Sequence, residues 1–320
     1  MTLSRRRTLR ILAAGLAVPL GVLGLQSTQG LPRPVRWHGK ALGAVSAMTL
    51  WSVDPTRASR ALRRMQSEIA RMEAIFSLFR PTSELSRLNR EGRIERPSRD
   101  MVEVLDLSRR IAEASRGAFD PTIQPLWALH AGSRAPDPRL IAHVLPLVDY
   151  TCLTARRSVI RFGRPNMAAS LNGIAQGYIT DRITELLGNE GFESAVIELG
   201  ETRVLGQAPD GQPVSIGLVN PNAPARILSQ VALADAALSV SGGYGQALPN
   251  GTGSHIFDPR NGLSAGSLSQ VAVVAPKSAL ADALSTAICV AGEGAAKSIL
   301  STVPAARAIL TRPDGTSVEV

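Results

Sequence analysis

Hydrophobic positions along the chain fall into two rhythms. From about Thr56 to Phe79, Leu62, Met65, Ile69, Met72, Phe76 and Phe79 recur at three- and four-residue steps with Arg and Glu between them. That is the spacing of a helix that buries one face, and Pro81 sets its end. The same reading predicts helices over about Arg99–Arg116, closed by Gly117, over Gly177–Leu187, followed by Gly188 and Gly191, and over Ser278–Ala291. The β-branched runs Ser194–Leu199, Val214–Val219, Val231–Leu233 and Gln270–Ala275 read as strands. Pro313-Asp314-Gly315 reads as the turn of a hairpin between Ala308–Thr311 and Ser317–Val320. Gly117–Thr122 and Ala131–Pro138 carry the turn formers of loops. Strands and helices interleave without regular βαβ spacing, which predicts an α+β fold rather than a doubly wound sheet.

The first 30 residues break this pattern. Ser4-Arg5-Arg6-Arg7-Thr8-Leu9 precedes an apolar run, Ile11 to Leu25, interrupted by Gly15, Pro19, Gly21 and Gly24. A spanning helix needs about 20 apolar residues, so the run is short for an anchor and reads as a secretory signal. Adjacent arginines before a mildly apolar run suit the twin-arginine route, and an ordinary Sec signal or an uncleaved anchor are the alternatives. No cysteine follows the run, so a lipid-modified N-terminus is not expected. Cleavage is expected around Gln26–Gly30, leaving 31–320 as a single domain.

The 320 residues are 44% hydrophobic, enough for a sizeable core, and the 28 glycines and 21 prolines are dispersed. Four of the nine excess positive charges lie in the leader. The rest form no Lys/Arg block and aromatics are only 4%, which argues against nucleic-acid binding. Two cysteines, Cys152 and Cys289, make neither a disulfide scaffold nor a thiolate metal site. They read as buried thiols, with one disulfide open to an exported chain.

Four segments can carry chemistry. Gly173-Ile-Ala-Gln-Gly177-Tyr178 precedes a predicted helix, where glycines let a main chain approach a phosphate; a tight turn is the bland alternative. Asp282-Ala-Leu-Ser285-Thr286 places three oxygens on one helix face, a donor set for a hard cation such as Mg²⁺ bridging to phosphates. Equally, Asp282 could favour the helix dipole, with Ser285 and Thr286 back-bonded. His255, in His255-Ile-Phe-Asp258-Pro259-Arg-Asn-Gly262, is the one histidine of four in a polar, turn-rich setting, and could act as a general base, serve as a phosphate partner or sit structurally. Ser239-Val-Ser241-Gly242-Gly243-Tyr244-Gly245 is a ligand-contacting loop or a bulge.

Taken in order with Phe76–Asn89 and Gly117–Leu126, these stretches resemble the ApbE family of flavin transferases, from about Gly39 to Gly292. The resemblance implies an ApbE-like, T-fold-like α+β architecture of mixed sheets packed with helices, with an FAD cleft between two lobes. It implies FAD as substrate and Mg²⁺ as cofactor, FMN being transferred to a Thr or Ser of an exported acceptor flavoprotein subunit with release of AMP. By position, Gly173, Asp282, Ser285 and Thr286 would hold the metal. Leu42, Phe79, Ala118, Phe119, Asp120, Ser170, Gln176 and Ile256 would contact FAD, and His255 and Asp282 would be catalytic. A membrane-associated redox complex is the implied target and the periplasm the implied location. The chain departs from the family pattern at Ser170 (usually Asp), Gln176 (often Lys), Phe79 (a stacking Tyr), Gln246 (an Arg) and Gly200-Glu201-Thr202 (Gly-Gly-Asp). These changes remove charge near the expected site, which favours non-catalytic flavin binding as one alternative; Mg²⁺-dependent FAD hydrolysis, with water in place of the acceptor, is the other.

Overall fold

A computed structural model describes residues 32–132, 135–245 and 253–320. The leader and Gln246 lie outside the described residues. The chain opens with a hairpin, β1 (Arg33–Ala41) and β2 (Ala44–Ser52), followed by α1 (Pro55–Phe76) and α2 (Glu84–Glu91). Then come β3 (Arg93–Glu95), α3 (Arg99–Ala114), α4 (Gln124–His130), α5 (Pro138–Val144), β4 (Leu153–Ala155) and β5 (Val159–Phe162). The second half holds α6 (Ala175–Asn189), β6 (Ser194–Glu198), β7 (Thr202–Gly206), β8 (Val214–Asn220), β9 (Ala223–Leu233), β10 (Ala237–Ser241) and β11 (Gln270–Ala275). It ends with α7 (Ser278–Ala291), α8 (Glu293–Leu300), β12 (Arg307–Thr311) and β13 (Ser317–Glu319).

Eight strands form one sheet in the order β1-β2-β6-β7-β10-β11-β12-β13, every pairing antiparallel. Its strands alternate as pleating requires. Ala195, Ile197 and Leu199 face the main core with α1, α6 and α7, while Val196 faces a second cluster closed by the β8–β9 ribbon through Leu218, Val231 and Leu233. β11 lies between these layers and all six of its residues are buried, which explains why Gln270–Ala275 reads as a continuous apolar run. This is the mixed helix-and-sheet class the pattern predicts. Among the described residues, no helix is long and apolar enough to cross a membrane.

Two helix boundaries differ from the sequence reading, each for a physical reason. α1 stops at Phe76 instead of Phe79. The Ser77 hydroxyl accepts from the Phe79 and Arg80 amides (3.1 and 3.2 Å), and the Ser77 carbonyl accepts from Ser83 and Ser86 hydroxyls (2.5 and 3.1 Å). These bonds give the backbone an alternative to another helical turn. Phe79 therefore leaves the apolar stripe and stands 84% exposed, so it is not core. α6 starts at Ala175 and runs to Asn189, so Gly177 and Gly188 lie inside the helix rather than at its edges. Both cysteines are free, and Cys152 is half-buried, not buried as expected.

Candidate active site

The site is organised by two helices that complete one another. Lys277 precedes α7 without a capping side chain, and Asp181 of α6 fills the role: its carboxylate accepts from the Ser278 and Ala279 amides at 2.7 and 3.0 Å. In return, Asp282 of α7 accepts from the Gly177 amide of α6 through Oδ2 at 3.2 Å. Gly177 is required by the packing. A Cβ there would lie 2.3 Å from the Ser278 carbonyl oxygen and 2.7 Å from Ala279 Cα.

This arrangement buries Asp282 (4% exposed) among groups that do not neutralise it. Burial pushes its carboxyl up to about 8; the Gly177 amide pulls the other way and the charge on Asp181 adds to the rise. A second carboxyl, Glu201, lies at the β6–β7 turn, equally enclosed. Burial raises it well above the ordinary range, the charge on Asp282 raises it further, and a hydrogen bond with Ser239 opposes both. Gly200, at φ +105°, makes the tight turn, and the Gln176 side chain lies directly over it, 2.6 Å from where a Cβ would stand.

From Glu201 a run of hydroxyls leads outward. Ser239 Oγ is 3.1 Å from Ser285 Oγ, Ser285 Oγ is 2.7 Å from Ser241 Oγ, and Ser241 Oγ is 3.3 Å from Thr286 Oγ1. Ser239 and Ser241 share a face of β10 because they are two residues apart; Ser285 and Thr286 reach them from α7. Ser285 is wholly buried and also donates to the Asp282 carbonyl at 2.9 Å, so it supports the layer above it. Thr286 is the one partly exposed residue between Ala281 and Val290, and with Ser241, also partly exposed, it marks where this polar column meets solvent.

Gly173 stands opposite Thr286. A Cβ at Gly173 would be 3.1 Å from Thr286 Oγ1 and 3.3 Å from the Phe119 ring, so glycine lets main chain come close to the hydroxyl. Ala118 and Phe119 are buried beside it, and the loop they belong to is stitched to the Gly173 segment by the Ser170 amide on the Pro121 carbonyl at 2.8 Å. Asn89 anchors the same segment, exchanging two hydrogen bonds with the Ala169 main chain at 2.7 and 2.8 Å. Asp120 is spent within its loop: Oδ1 accepts from the Thr122 amide and hydroxyl (2.7 and 2.6 Å), and Oδ2 accepts from the Tyr150 amide (2.9 Å). Burial nevertheless raises its carboxyl above the ordinary range.

His255 and Ile256 approach from the β10 side. A Cβ on Gly243 would be 2.9 Å from Ser254, which places the Ser241–Gly245 loop against the residue before His255. His255 is half-buried and Ile256 is buried. Behind them, Phe257 packs on His130 with ring centroids 4.4 Å apart, and His130 Nε2 meets the Gly262 carbonyl at 3.1 Å. Leu42 and Phe79 form an outer group at the end of α1. The Leu42 amide donates to Glu73 at 3.0 Å, and Glu73 pairs with Arg80 beside Phe79.

The structure thus brings Gly173, Gln176, Asp282, Ser285 and Thr286 near Phe119, and adds residues the sequence reading missed. Glu201 is the main one. The change from Gly-Gly-Asp to Gly200-Glu201-Thr202 was read as a loss of charge, but Glu201 keeps a carboxyl beside Asp282. The available signals were the alternating Ser239-x-Ser241 and an acid placed after a turn glycine.

The donor set is all oxygen: a carboxylate, hydroxyls and a main chain brought close by glycine. It fits a hard divalent ion better than a thiolate- or imidazole-seeking metal. Similarity to known proteins agrees in extent with this geometry. A family model described as the ApbE family matches residues 42–310. A Haemophilus influenzae protein named FAD:protein FMN transferase is 26% identical over 304 residues, covering 88% of each chain. A Treponema pallidum protein of the same name is also 26% identical, covering 91% of this chain and 88% of that one. Among solved structures, the flavin transferase ApbE of Vibrio cholerae superposes with a TM-score of 0.80 at 22% identity, over 90% of this chain and 97% of that one. The apo flavinyl transferase ApbE of Pseudomonas stutzeri gives 0.79 at 23%, over 91% and 96%. With a family match spanning most of its length and a fold to suit, this chain belongs to the ApbE family.

Proposed function

We propose that this protein is a Mg²⁺-dependent FMN transferase that divides FAD at its diphosphate. The FMN half passes to a Thr or Ser hydroxyl of an exported acceptor flavoprotein, and AMP leaves. In this reaction the bond between the FMN phosphorus and the bridging oxygen breaks, a bond from phosphorus to the acceptor oxygen forms, and the hydroxyl proton is removed. The observation that carries the reading is the column in which Asp282, Ser285 and Thr286 share one face of α7 and Thr286 meets solvent opposite Gly173.

Asp282, Thr286 and the Gly173 main chain would hold the ion, which when bound neutralises the diphosphate and the departing phosphate. The chain's own groups do the rest. The Gly177 amide fixes one oxygen of Asp282, leaving the other available. Ser241, itself hydrogen-bonded to Ser285, holds the Thr286 hydroxyl. His255 is the candidate to receive or orient the acceptor proton. Phe79, with its exposed ring, suits stacking on the flavin, and Ala118, Phe119, Asp120, Ser170, Gln176, Ile256 and Leu42 would shape the rest of the FAD site. The arginine-led leader supports export to the periplasm, where the acceptor would be met.

Incubation with FAD, Mg²⁺ and an exported flavoprotein domain, followed by intact mass, tests the reading. A gain of one FMN phosphoryl group on the acceptor, with AMP released, is expected. FMN and AMP without an adduct on any acceptor would point to hydrolysis. Intact FAD throughout would point to a flavin-binding protein, the reading favoured by the uncharged Ser170 and Gln176.

A further inference from the structure

The hydroxyls beneath Thr286 carry a direction, because each has a single proton to donate. The Ser285 hydroxyl lies 2.9 Å from the Asp282 carbonyl oxygen, which can only accept, so the Ser285 proton goes there. Ser285 is wholly buried, and Ser241 Oγ at 2.7 Å and Ser239 Oγ at 3.1 Å flank its oxygen on the remaining sides. The 2.7 Å contact is therefore a bond that Ser241 donates to Ser285, and it uses the Ser241 proton. Ser241 and Thr286 are 3.3 Å apart, and the proton left to join them is that of Thr286, donated to Ser241 Oγ. Reversing either hydroxyl bond leaves another contact in the run without a proton. The bonds thus pass from Thr286 to Ser241, from Ser241 to Ser285, and from Ser285 to the Asp282 carbonyl.

A hydroxyl that donates inward turns its lone pairs outward. Across from Thr286 Oγ1 is Gly173, whose absent Cβ would stand only 3.1 Å away, and Thr286 itself is partly exposed. An oxygen that meets a hard cation must offer a lone pair, since a proton on that side would repel the ion. Resting on the transferase reading of this site, we infer that Ser241 is a positioning residue: by accepting the Thr286 proton it fixes Thr286 as an acceptor toward the cleft, set for a divalent cation. Ser285 sets the direction of the run from below. With its proton on the Asp282 carbonyl and its oxygen enclosed by two serines, Ser285 is a support and not a ligand, although its spacing from Asp282 offers it to the ion. The device needs both elements, because Ser241 comes from β10 and Ser285 and Thr286 from α7, which packs on that strand.

The test is Mn²⁺ binding to the FAD-free protein, measured by calorimetry, with a thermal melt of each protein without metal. The proteins are wild type, Ser241→Ala, Ser241→Thr, Ser285→Ala, the Ser241→Ala/Ser285→Ala double variant and Asp282→Ala. Ser241→Ala frees the Thr286 hydroxyl to rotate, and its Mn²⁺ affinity is expected to fall about tenfold. Ser241→Thr, which keeps the hydroxyl, is expected to recover most of that affinity. Ser285 acts through Ser241, so the double variant is expected to bind Mn²⁺ no more weakly than Ser241→Ala alone. A Ser241→Ala protein that binds Mn²⁺ like wild type overturns the inference whatever its melting point, since a lower melt with unchanged affinity marks a purely structural hydroxyl. Losses that multiply in the double variant also overturn it, because Ser285 would then meet the ion on its own account. In either case, wild type binding Mn²⁺ and Asp282→Ala losing it leaves the transferase reading standing. A wild-type protein that binds no Mn²⁺ overturns both.

Discussion

Gly177→Ala separates helix propensity from tertiary packing. Gly177 lies inside α6, and on propensity alone an alanine there should stabilise the helix by about 1 kcal/mol. The structure predicts the opposite. The new methyl would stand 2.3 Å from the Ser278 carbonyl oxygen and 2.7 Å from Ala279 Cα, and both contacts are main chain that no rotamer change can move. Overpacking of this kind costs about 1–3 kcal/mol. Separating α6 from α7 would also lengthen the 3.2 Å bond from the Gly177 amide to Asp282, leaving a buried carboxyl poorly satisfied at about 1–3 kcal/mol. The losses exceed the gain, for a net destabilisation of about 1–5 kcal/mol and a melting point lower by roughly 3–15 °C. Gly188→Ala is the control: it lies in the same helix, and nothing stands within 4 Å of its added Cβ. It should raise the melting point by about 1–3 °C through propensity alone. Urea and thermal denaturation of both variants decide the matter. If Gly177→Ala is as stable as Gly188→Ala, the close seating of α6 on α7, and with it the placement of Asp282, is wrong.

Three further outcomes follow from the same contacts. Asp181→Ala removes the acceptor for two α7 amides and should cost about 1–2 kcal/mol, read as a lower urea midpoint; an unchanged midpoint would show that α7 caps itself. Phe79→Ala should leave stability unaltered, since the ring is 84% exposed, but weaken FAD binding by about 1–3 kcal/mol in a fluorescence titration, and a large fall in stability would place the ring in the core after all. At Asp100, burial raises the carboxyl, but hydrogen bonds from Arg71 and Tyr178 together outweigh it and the net shift is downward. The stability it contributes is therefore full above the ordinary carboxyl value of 3.8 that it has in the unfolded chain, and is lost as pH falls through the lower folded value. Tyr178→Phe, which deletes a hydroxyl 2.9 Å from Asp100 and 2.7 Å from Glu103, should shift acid unfolding to higher pH; a superimposable acid transition would contradict the assignment.

What the sequence revealed and what it withheld follow from the range of the interactions. The helix bearing Asp282, Ser285 and Thr286 was legible because i, i+3 and i+4 spacing is local, and the hairpin around Pro313-Asp314-Gly315 because its turn residues announce it. The β1–β2 hairpin was not legible. Its turn uses Leu42 at φ +46°, unusual for a leucine, held by a hydrogen bond from its own amide to the Glu73 carboxylate far along the chain, and β1 is a half-exposed edge strand with weak alternation. The start of α6 was misplaced because Gly177 looks like a turn former, when its absent side chain serves contact with Ser278, a hundred residues on. Phe79 continues the apolar period of α1, and only the Ser77 hydroxyl and carbonyl show why the helix ends first. Glu201 escaped notice because nothing in its local sequence tells that Asp282 will be its neighbour.

The central claim concerns the oxygen face of α7 and the diphosphate bond. AMP release from FAD, followed by chromatography against Mg²⁺ concentration for wild type and Asp282→Ala, addresses it most directly. The account predicts Mg²⁺-dependent AMP release by wild type and a rate about 10²–10⁴ lower for the variant at any Mg²⁺ level. An Asp282→Ala protein that releases AMP at the wild-type rate, with the same Mg²⁺ dependence, would contradict it.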